Sequence, residues 1–418
     1  MLSKLKPKSE FSKNVLTLMT GTTIAQAIPI AISPILTRLY TPEDFGVFAL
    51  FFAITSIFGS IANGRYELAI MLPKKDEDAI NIFALGFIIN IAMSLSLLLI
   101  VLIFHDYIVK LLNNKEISPW LYFIPISVFL MGIFNLLNYF NNRMKQYKDL
   151  AKANVYKSIG NAVIQLSLGF LKAGAIGLIS GQIFSQIISN TKLFLNIKKL
   201  DLLKYIKKNK IIFLGKRYKD FLKFSMLAIL INMFSQHIIS IVIPIFYNIT
   251  TLGFYSLVQR VLGIPSALIG NSIGQVFFQQ AAKEMHETGK IIHTFDSTFK
   301  RLIIIGVPFY TFLFFTVKYL FLLVFGEKWM IAGTYAQILI PLFFVKFIVV
   351  PISNATSVLE KQKLLFFWQV GLLLLSLIIL LFSYLYSIDF KTMLKYFTFF
   401  ISIYYLIFFL IVRFYSKG

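Results

Sequence analysis

Three cationic side chains, Arg65, Arg260 and Lys346, stand inside long apolar stretches of this chain, and the one carboxylate comparably placed is Glu67, two residues from Arg65. A charge at the centre of a bilayer costs about 2.5–3.5 kcal/mol on insertion scales, so an intramembrane ionisable residue reads first as functional. A set of one sign points to an anionic cargo. The guanidinium is the stronger candidate for an oxyanion, because its planar fork holds two oxygens side by side and an ammonium does not. Neutral groups able to bond hydroxyls recur at helical spacing: Gln182, Gln186 and Asn190, then Asn161 and Gln165, then Asn232 and Gln236. Residues four apart share a helix face, and polar faces turn to a cavity or another helix, not to lipid.

The elements that carry these residues have to be membrane spans. Hydrophobic residues make up 58% of the 418, mean hydropathy is +0.77, and charged residues are only 14%. Roughly 25% charge is usual in soluble domains. Apolar runs long enough to cross about 30 Å of hydrocarbon recur along the whole sequence. Twelve are expected, over residues 14–37, 45–71, 79–104, 118–140, 152–171, 174–197, 222–247, 252–280, 299–324, 331–355, 364–387 and 394–412.

Charge orients the spans. With the N terminus inside, thirty of the 41 Lys and Arg residues fall on inner segments. Eight fall outside: Arg38, Lys110, Lys115, Lys172, Lys318, Lys328, Lys391 and Lys395. The remaining three are the intramembrane set. This asymmetry places both termini in the cytoplasm by the positive-inside rule, as expected of a multi-pass protein of the cytoplasmic (inner) membrane. The net charge of +23 is then mostly topology, spread over alternate short loops, and does not read as a nucleic-acid surface.

Several kinds of chemistry drop out. There is no Cys, so thiolate catalysis and disulfides are excluded, and the four histidines show no metal-ligand spacing. No cofactor and no metal are expected. No Walker-type GxxxxGK[ST] occurs, so the chain itself is not an ATPase. The basic N-terminal stretch leads into a full-length run with Pro29 and Pro34, so the first span is expected to stay in the mature chain. Outer-face acids Asp106, Glu116, Glu327 and Asp389 are read as single residues without a DxD-like pair. That argues against a polytopic glycosyltransferase or polymerase, which needs grouped carboxylates, and favours transport over catalysis.

The twelve spans divide in two: an N-terminal six-helix lobe over 1–197, a basic cytoplasmic linker over 198–220, and a C-terminal six-helix lobe over 221–418. Six spans per half give both halves the same orientation, as in parallel repeats. A match at an offset of 207 supports the repeat: Tyr40, Gly46 and Phe48 fall opposite Tyr247, Gly253 and Tyr255. The linker mixes lysines with Ile206, Ile211, Ile212 and Phe213. It reads either as a segment lying on the inner leaflet or as a solvated tether.

Depth ranks the candidates. Arg260 lies nine residues in from the outer turn at 251, about 13 Å down a helix. On one continuous helix Asn271 would sit about 20° and Gln275 about 60° from it, all on one face. Lys346 is about as deep, fourteen residues from the outer end of the tenth span. Arg65 is nearer the inner end of the second span, where it either snorkels or binds cargo. Glu67, at i+2, is not expected to face Arg65 on a helix; if transport is ion-coupled, Glu67 or His237 is the candidate. Arg38 is an outer anchor or an exit-side contact. Pro29, Pro34, Pro265, Pro341 and Pro351 are expected kinks.

The outer turn "LTRLYTPEDFGVFALFFAITSIFGSIANGRYELAIMLPKKDEDA", the eighth-span stretch "FYSLVQRVLGIPSALIGNSIGQVFFQQAAKE" and the connection "NNRMKQYKDLAKANVYKSIGNAVIQLSLG" resemble the polysaccharide transporter branch of the multidrug/oligosaccharidyl-lipid/polysaccharide exporter superfamily, with Wzx-type O-antigen and capsule flippases the nearest in character. The resemblance implies an all-α membrane protein of about twelve transmembrane helices, in two lobes related by a pseudo-two-fold repeat around a central cavity. It implies alternating access that carries an undecaprenyl-diphosphate-linked oligosaccharide from the inner to the outer leaflet, with polymerase and chain-length proteins of the same pathway as partners. The residues expected to meet that cargo are Arg260, Lys346, Arg65, Asn271, Gln275, Arg38, Gln182 and Gln186. A multidrug/cation antiporter of the related branch is the alternative within transport, and it would need acids in its lobes.

Overall fold

The computed structural model describes residues 10–197 and 202–418, with side chains from residue 17 onward apart from those of 202, 203, 267, 268, 271 and 272. The topology-setting Lys4, Lys6, Lys8, Lys198 and Lys199, and the side chains of Lys13 and Asn271, therefore lie outside the described residues. The contacts divide the chain into two compact units, one up to Met233 and one from Phe234. Both are all-α, with no strand among the described residues.

The first unit holds α1 (Glu10–Leu39), α2 (Pro42–Gly59), α3 (Tyr66–Ala69), α4 (Asp76–Leu111), α5 (Ser118–Leu121), α6 (Ile124–Arg143), α7 (Tyr147–Phe170), α8 (Ala175–Ile197) and α9 (Lys208–Arg217). Next comes α10 (Met226–Phe246), in which the boundary falls. The second unit continues with α11 (Ile249–Leu262), α12 (Asn271–Thr288), α13 (Ile292–Phe325), α14 (Met330–Ile352), α15 (Ala355–Val358), α16 (Gln362–Leu385) and α17 (Phe390–Ser416).

Nine helical segments among the described residues are long and apolar enough to cross a membrane, which makes this a multi-pass membrane protein. Helices α7 and α8 and the broken helix α11–α12 take the places of the other three expected spans. These carry Asn161 and Gln165, the Gln182-to-Asn190 stripe, and Arg260. The apolar signal is thinnest where the polar candidates are densest.

In the first unit α6 packs against α2, α4, α7 and α8 and buries Leu136, Leu137 and Phe140 almost completely. In the second, α14 packs against α11, α12, α13 and α17, and Phe254 meets the fully buried Trp329 edge-on at 5.8 Å. Lipid offers apolar side chains as good a home as a protein core does, so close backbone approach matters more than hydrophobicity here. Gly177 illustrates this: a Cβ there would collide with the Tyr40 hydroxyl, which donates to the Gln165 carbonyl at 2.5 Å.

The 207-residue offset corresponds to matching local structure. Thr41 caps α2 through a capping box, its Oγ1 accepting from Asp44 N at 3.2 Å and Asp44 Oδ2 accepting from Thr41 N at 2.8 Å. Its counterpart Asn248 caps α11, Oδ1 accepting from Thr251 N at 2.7 Å. Each cap satisfies amide groups that a helix start leaves open. The expected second span, 45–71, is not one helix: α2 stops at Gly59 and six residues of turn separate it from α3. The expected eighth span, 252–280, is also broken, by a π-helical turn at Ser266–Gly270 that follows Pro265.

Candidate functional site

Arg260 sits in the last turn of α11, eleven residues or about 17 Å from its start. The helix ends there because Gly263 caps it and Pro265 removes a ladder donor. The face expected to be shared by Arg260 and Gln275 does not carry across the break, because a helix interrupted by a π turn does not advance 100° per residue there, and the side chain of Asn271 lies outside the described residues. Gln275 is exposed on α12. Lys346 lies sixteen residues into α14, the helix against which α11 packs. Its ammonium is 5.6 Å from the ring centres of both Phe343 and Tyr405. Among the described residues neither Arg260 nor Lys346 has a carboxylate within ion-pair distance. Both are half-buried.

Arg65 is held quite differently. Gly64 (φ 58°) and Arg65 (φ 65°) both take left-handed backbone in the turn between α2 and α3. For a residue with a Cβ this costs about 1–2 kcal/mol. The bend corrects the expectation for Glu67: without a continuous helix, i and i+2 do face each other, and Arg65 Nη1 lies 3.1 Å from Glu67 Oε1. The Glu67 side chain is 2% exposed, and its other oxygen accepts no hydrogen bond among the described residues. Helix α9 and the chain that follows it strap the turn. Arg65 Nε donates to Ser225 Oγ at 3.4 Å, Tyr66 OH donates to Gly215 O at 2.9 Å, and a Cβ on Gly64 would meet Leu222 at 2.9 Å.

The amide stripes knit helices together. Gln165 of α7 donates to Leu178 O of α8 at 3.2 Å, and Asn190 of α8 donates to Leu130 O of α6 at 2.9 Å. Gln186 is 1% exposed and Gln182 half-buried. Arg38 is exposed at the end of α1. One cation was missed by reading the sequence: Lys157, ten residues into α7, half-buried with its ammonium 4.6 Å from the Phe134 ring centre. The signal was available, since Lys157, Asn161 and Gln165 stand at i, i+4 and i+8.

A second region of the first unit is acidic. Glu43 and Asp44 at the start of α2, Glu116 in the loop before α5, and Trp120 and Phe123 line a cavity of about 740 Å³ together with Val47, Ile126, Ile183, Phe184 and Ile187. This corrects the reading of Glu116 as an isolated acid, because the loop after α4 brings it to the α2 N terminus. Burial, then the hydrogen bond and charge of Glu43, push the Glu116 carboxyl up to about 7. Among the described residues no three His, Asp or Glu side chains are close enough together to hold a metal ion.

Solved structures share this architecture, among them the following two. A lipid II flippase, MurJ, in an inward closed conformation, superposes with a TM-score of 0.75 at 14% identity over 96% of this chain and 88% of that one. A multidrug resistance MATE family transporter in an inward-facing conformation superposes with a TM-score of 0.73, also at 14% identity, over 96% and 94%. At such identity the likeness speaks for the fold alone. In sequence, the teichuronic acid biosynthesis protein TuaB of Bacillus subtilis is 23% identical over 292 residues, a match that spans 69% of this chain and 59% of the relative. Residues 35–332, which take in the capped turn of α1–α2, the Arg65 bend, the linker and the Arg260 helix, match the family described as polysaccharide biosynthesis protein. With that match over well above half its length, the chain belongs to the polysaccharide biosynthesis protein family.

Proposed function

We propose that this protein flips an undecaprenyl-diphosphate-linked oligosaccharide unit from the inner to the outer leaflet of the cytoplasmic membrane by alternating access, for assembly of a surface polysaccharide such as O-antigen or capsule. The observation that carries the reading is the pair Arg260 and Lys346, cations deep in apolar helices that pack on one another, with no protein carboxylate to neutralise them among the described residues. A diphosphate supplies the missing charge. The polyprenyl tail stays in lipid, and the sugar hydroxyls need bonding groups along a route where an unsatisfied polar group costs several kcal/mol. Arg260 then grips the diphosphate and Lys346 adds a second positive centre. Gln275 meets sugar hydroxyls, while Arg65 stays paired with Glu67 and holds the turn between α2 and α3. In this reading each six-helix half is a lobe, both termini are cytoplasmic, and the unit passes to the polymerase and chain-length proteins outside.

The polysaccharide biosynthesis family match and the fold shared with a lipid II flippase support the reading. The test is reconstitution: proteoliposomes holding a fluorescent polyprenyl-diphosphate glycan are asked whether an outside reductant or lectin gains access to it. Transfer that depends on the protein and drops at least about tenfold in Arg260→Gln supports the proposal, a tenfold change being about 1.4 kcal/mol. Transfer at the rate of empty vesicles, or glycan lengthening by the purified protein, contradicts it. A second reading, a cation antiporter, is favoured by one observation, the buried Glu67 with an open oxygen. It requires proton-driven uptake of an organic cation in the same vesicles.

A further inference from the structure

Over residues 204–220 the linker is folded, and only one side of α9 is covered by protein. Along α9 the positions of Lys210, Leu214 and Tyr218 recur every four residues and turn toward α4. Leu214 is 2% exposed, and Lys210 Nζ lies 2.9 Å from Glu77 and 3.2 Å from Asp78. Asn81 of α4 fastens the approach to the helix, donating to Tyr205 O at 2.9 Å and accepting from Lys207 N at 2.8 Å. The other side is bare. Ile212 and Phe213 are 49% and 63% exposed, and Phe224, in the π turn Phe221–Ser225, is 70% exposed. A solvated tether has no reason to place three large apolar side chains in water beside a well-packed face.

Charge says what covers them. Exposed Lys207, Lys208, Lys216, Arg217, Lys219 and Lys223 surround the three apolar residues, against the single acid Asp220 over 204–223. None of the six makes an ion pair among the described residues, unlike Lys210 on the docked side. The location agrees, because α9 is pinned to the first two turns of α4 and leads directly into the membrane-crossing segment Phe221–Phe246. It is therefore held at the level where hydrocarbon gives way to headgroups. We infer that α9 and the π turn form an interfacial binding surface for anionic phospholipid, with Ile212, Phe213 and Phe224 in the acyl region and the surrounding lysines and Arg217 on lipid phosphates. The same segment straps the Arg65 turn through Gly215 and Ser225, so lipid bound there steadies the geometry of the Arg65–Glu67 pair.

The chain has no cysteine, so exposed Asn209 changed to Cys gives a unique attachment point that leaves the apolar residues intact. A bimane at N209C, in the full-length protein reconstituted into phosphatidylcholine vesicles, is read against brominated phosphatidylglycerol or brominated phosphatidylcholine at equal mole fraction. Quenching by both, with the anionic lipid at least about tenfold more effective, is expected, since several basic residues act together at the surface. K208Q/K216Q/R217Q should abolish the preference while keeping the quenching. I212S/F213S should lose the quenching while leaving the melting temperature in place, because neither residue is on the docked face. Equal quenching by the two lipids overturns the headgroup assignment. No quenching by either, or bimane shielded by an added acidic protein in place of lipid, overturns the interfacial placement.

Discussion

Arg65 and Arg260 are the same residue type at membrane depth, yet the protein treats them in opposite ways. Arg65 is answered on several sides: a carboxylate at 3.1 Å, a serine hydroxyl from the π turn before α10, and a backbone bent left-handed to bring i and i+2 together. Arg260 ends a broken helix with no acid near it among the described residues. An ion pair in low dielectric gains attraction but offers little to a newcomer, whereas an unanswered cation keeps its binding capacity at a standing cost. On the proposed function, the first arrangement stabilises a fold and the second is open to an anion.

That contrast can be broken most forcefully through stability. Arg65→Ala strands Glu67, 2% exposed, without its partner, and should cost about 3–5 kcal/mol. Arg260→Ala strands no acid and should leave the melting temperature in detergent unchanged or raised. Equal losses for the two would mean that Arg260 is structural as well. Next in size, Gly64→Ala forces a Cβ into a left-handed position and against Leu222, for a loss of about 1–3 kcal/mol by chemical unfolding. The corresponding change at Gly274, which has ordinary helical backbone, should be milder.

The smallest effect sharpens a different side of the first unit, its acidic cavity. Because the folded protein holds the Glu116 carboxyl at about 7, above its ordinary range, the neutral form is the favoured one. Its contribution to stability is complete below about pH 4.5 and is lost as pH rises through about 7. Glu116→Gln should be the more stable protein above pH 7, by less than about 1 kcal/mol given its exposure to water, and the two should converge in acid. A melting profile of the variant parallel to that of the unchanged protein at every pH would separate Glu116 from Glu43.

Hydropathy made the spans and their approximate order legible, because apolar runs of bilayer length need no tertiary context to be recognised. The depth of Arg260 and Lys346 followed from the same arithmetic. What escaped depended on backbone or on distant chain. Residues 45–71 are apolar throughout, so nothing in hydropathy marks the end of α2; the clues were Gly59 and Gly64, five apart around Asn63. Pro265 was visible as a kink, but not the π turn after it, which spoiled the helical-wheel alignment of Arg260 with Gln275. The meeting of Glu116 with Glu43 spans more than seventy residues and leaves no local pattern. Lys157 was counted with the inner-segment charges because it stands only five residues inside the inner end of its expected span, 152–171.

The central claim, that Arg260 and Lys346 are held open for a diphosphate, is tested most directly by binding. A short-chain polyprenyl diphosphate soluble enough for calorimetry is titrated into the purified protein, into R260Q and into R260Q/K346Q, with the uncharged prenyl alcohol as control. The account predicts at least about tenfold weaker diphosphate binding in R260Q, a further loss in the double variant, and unchanged binding of the alcohol, each tenfold step being about 1.4 kcal/mol. Diphosphate affinity in R260Q/K346Q equal to that of the unchanged protein would contradict it.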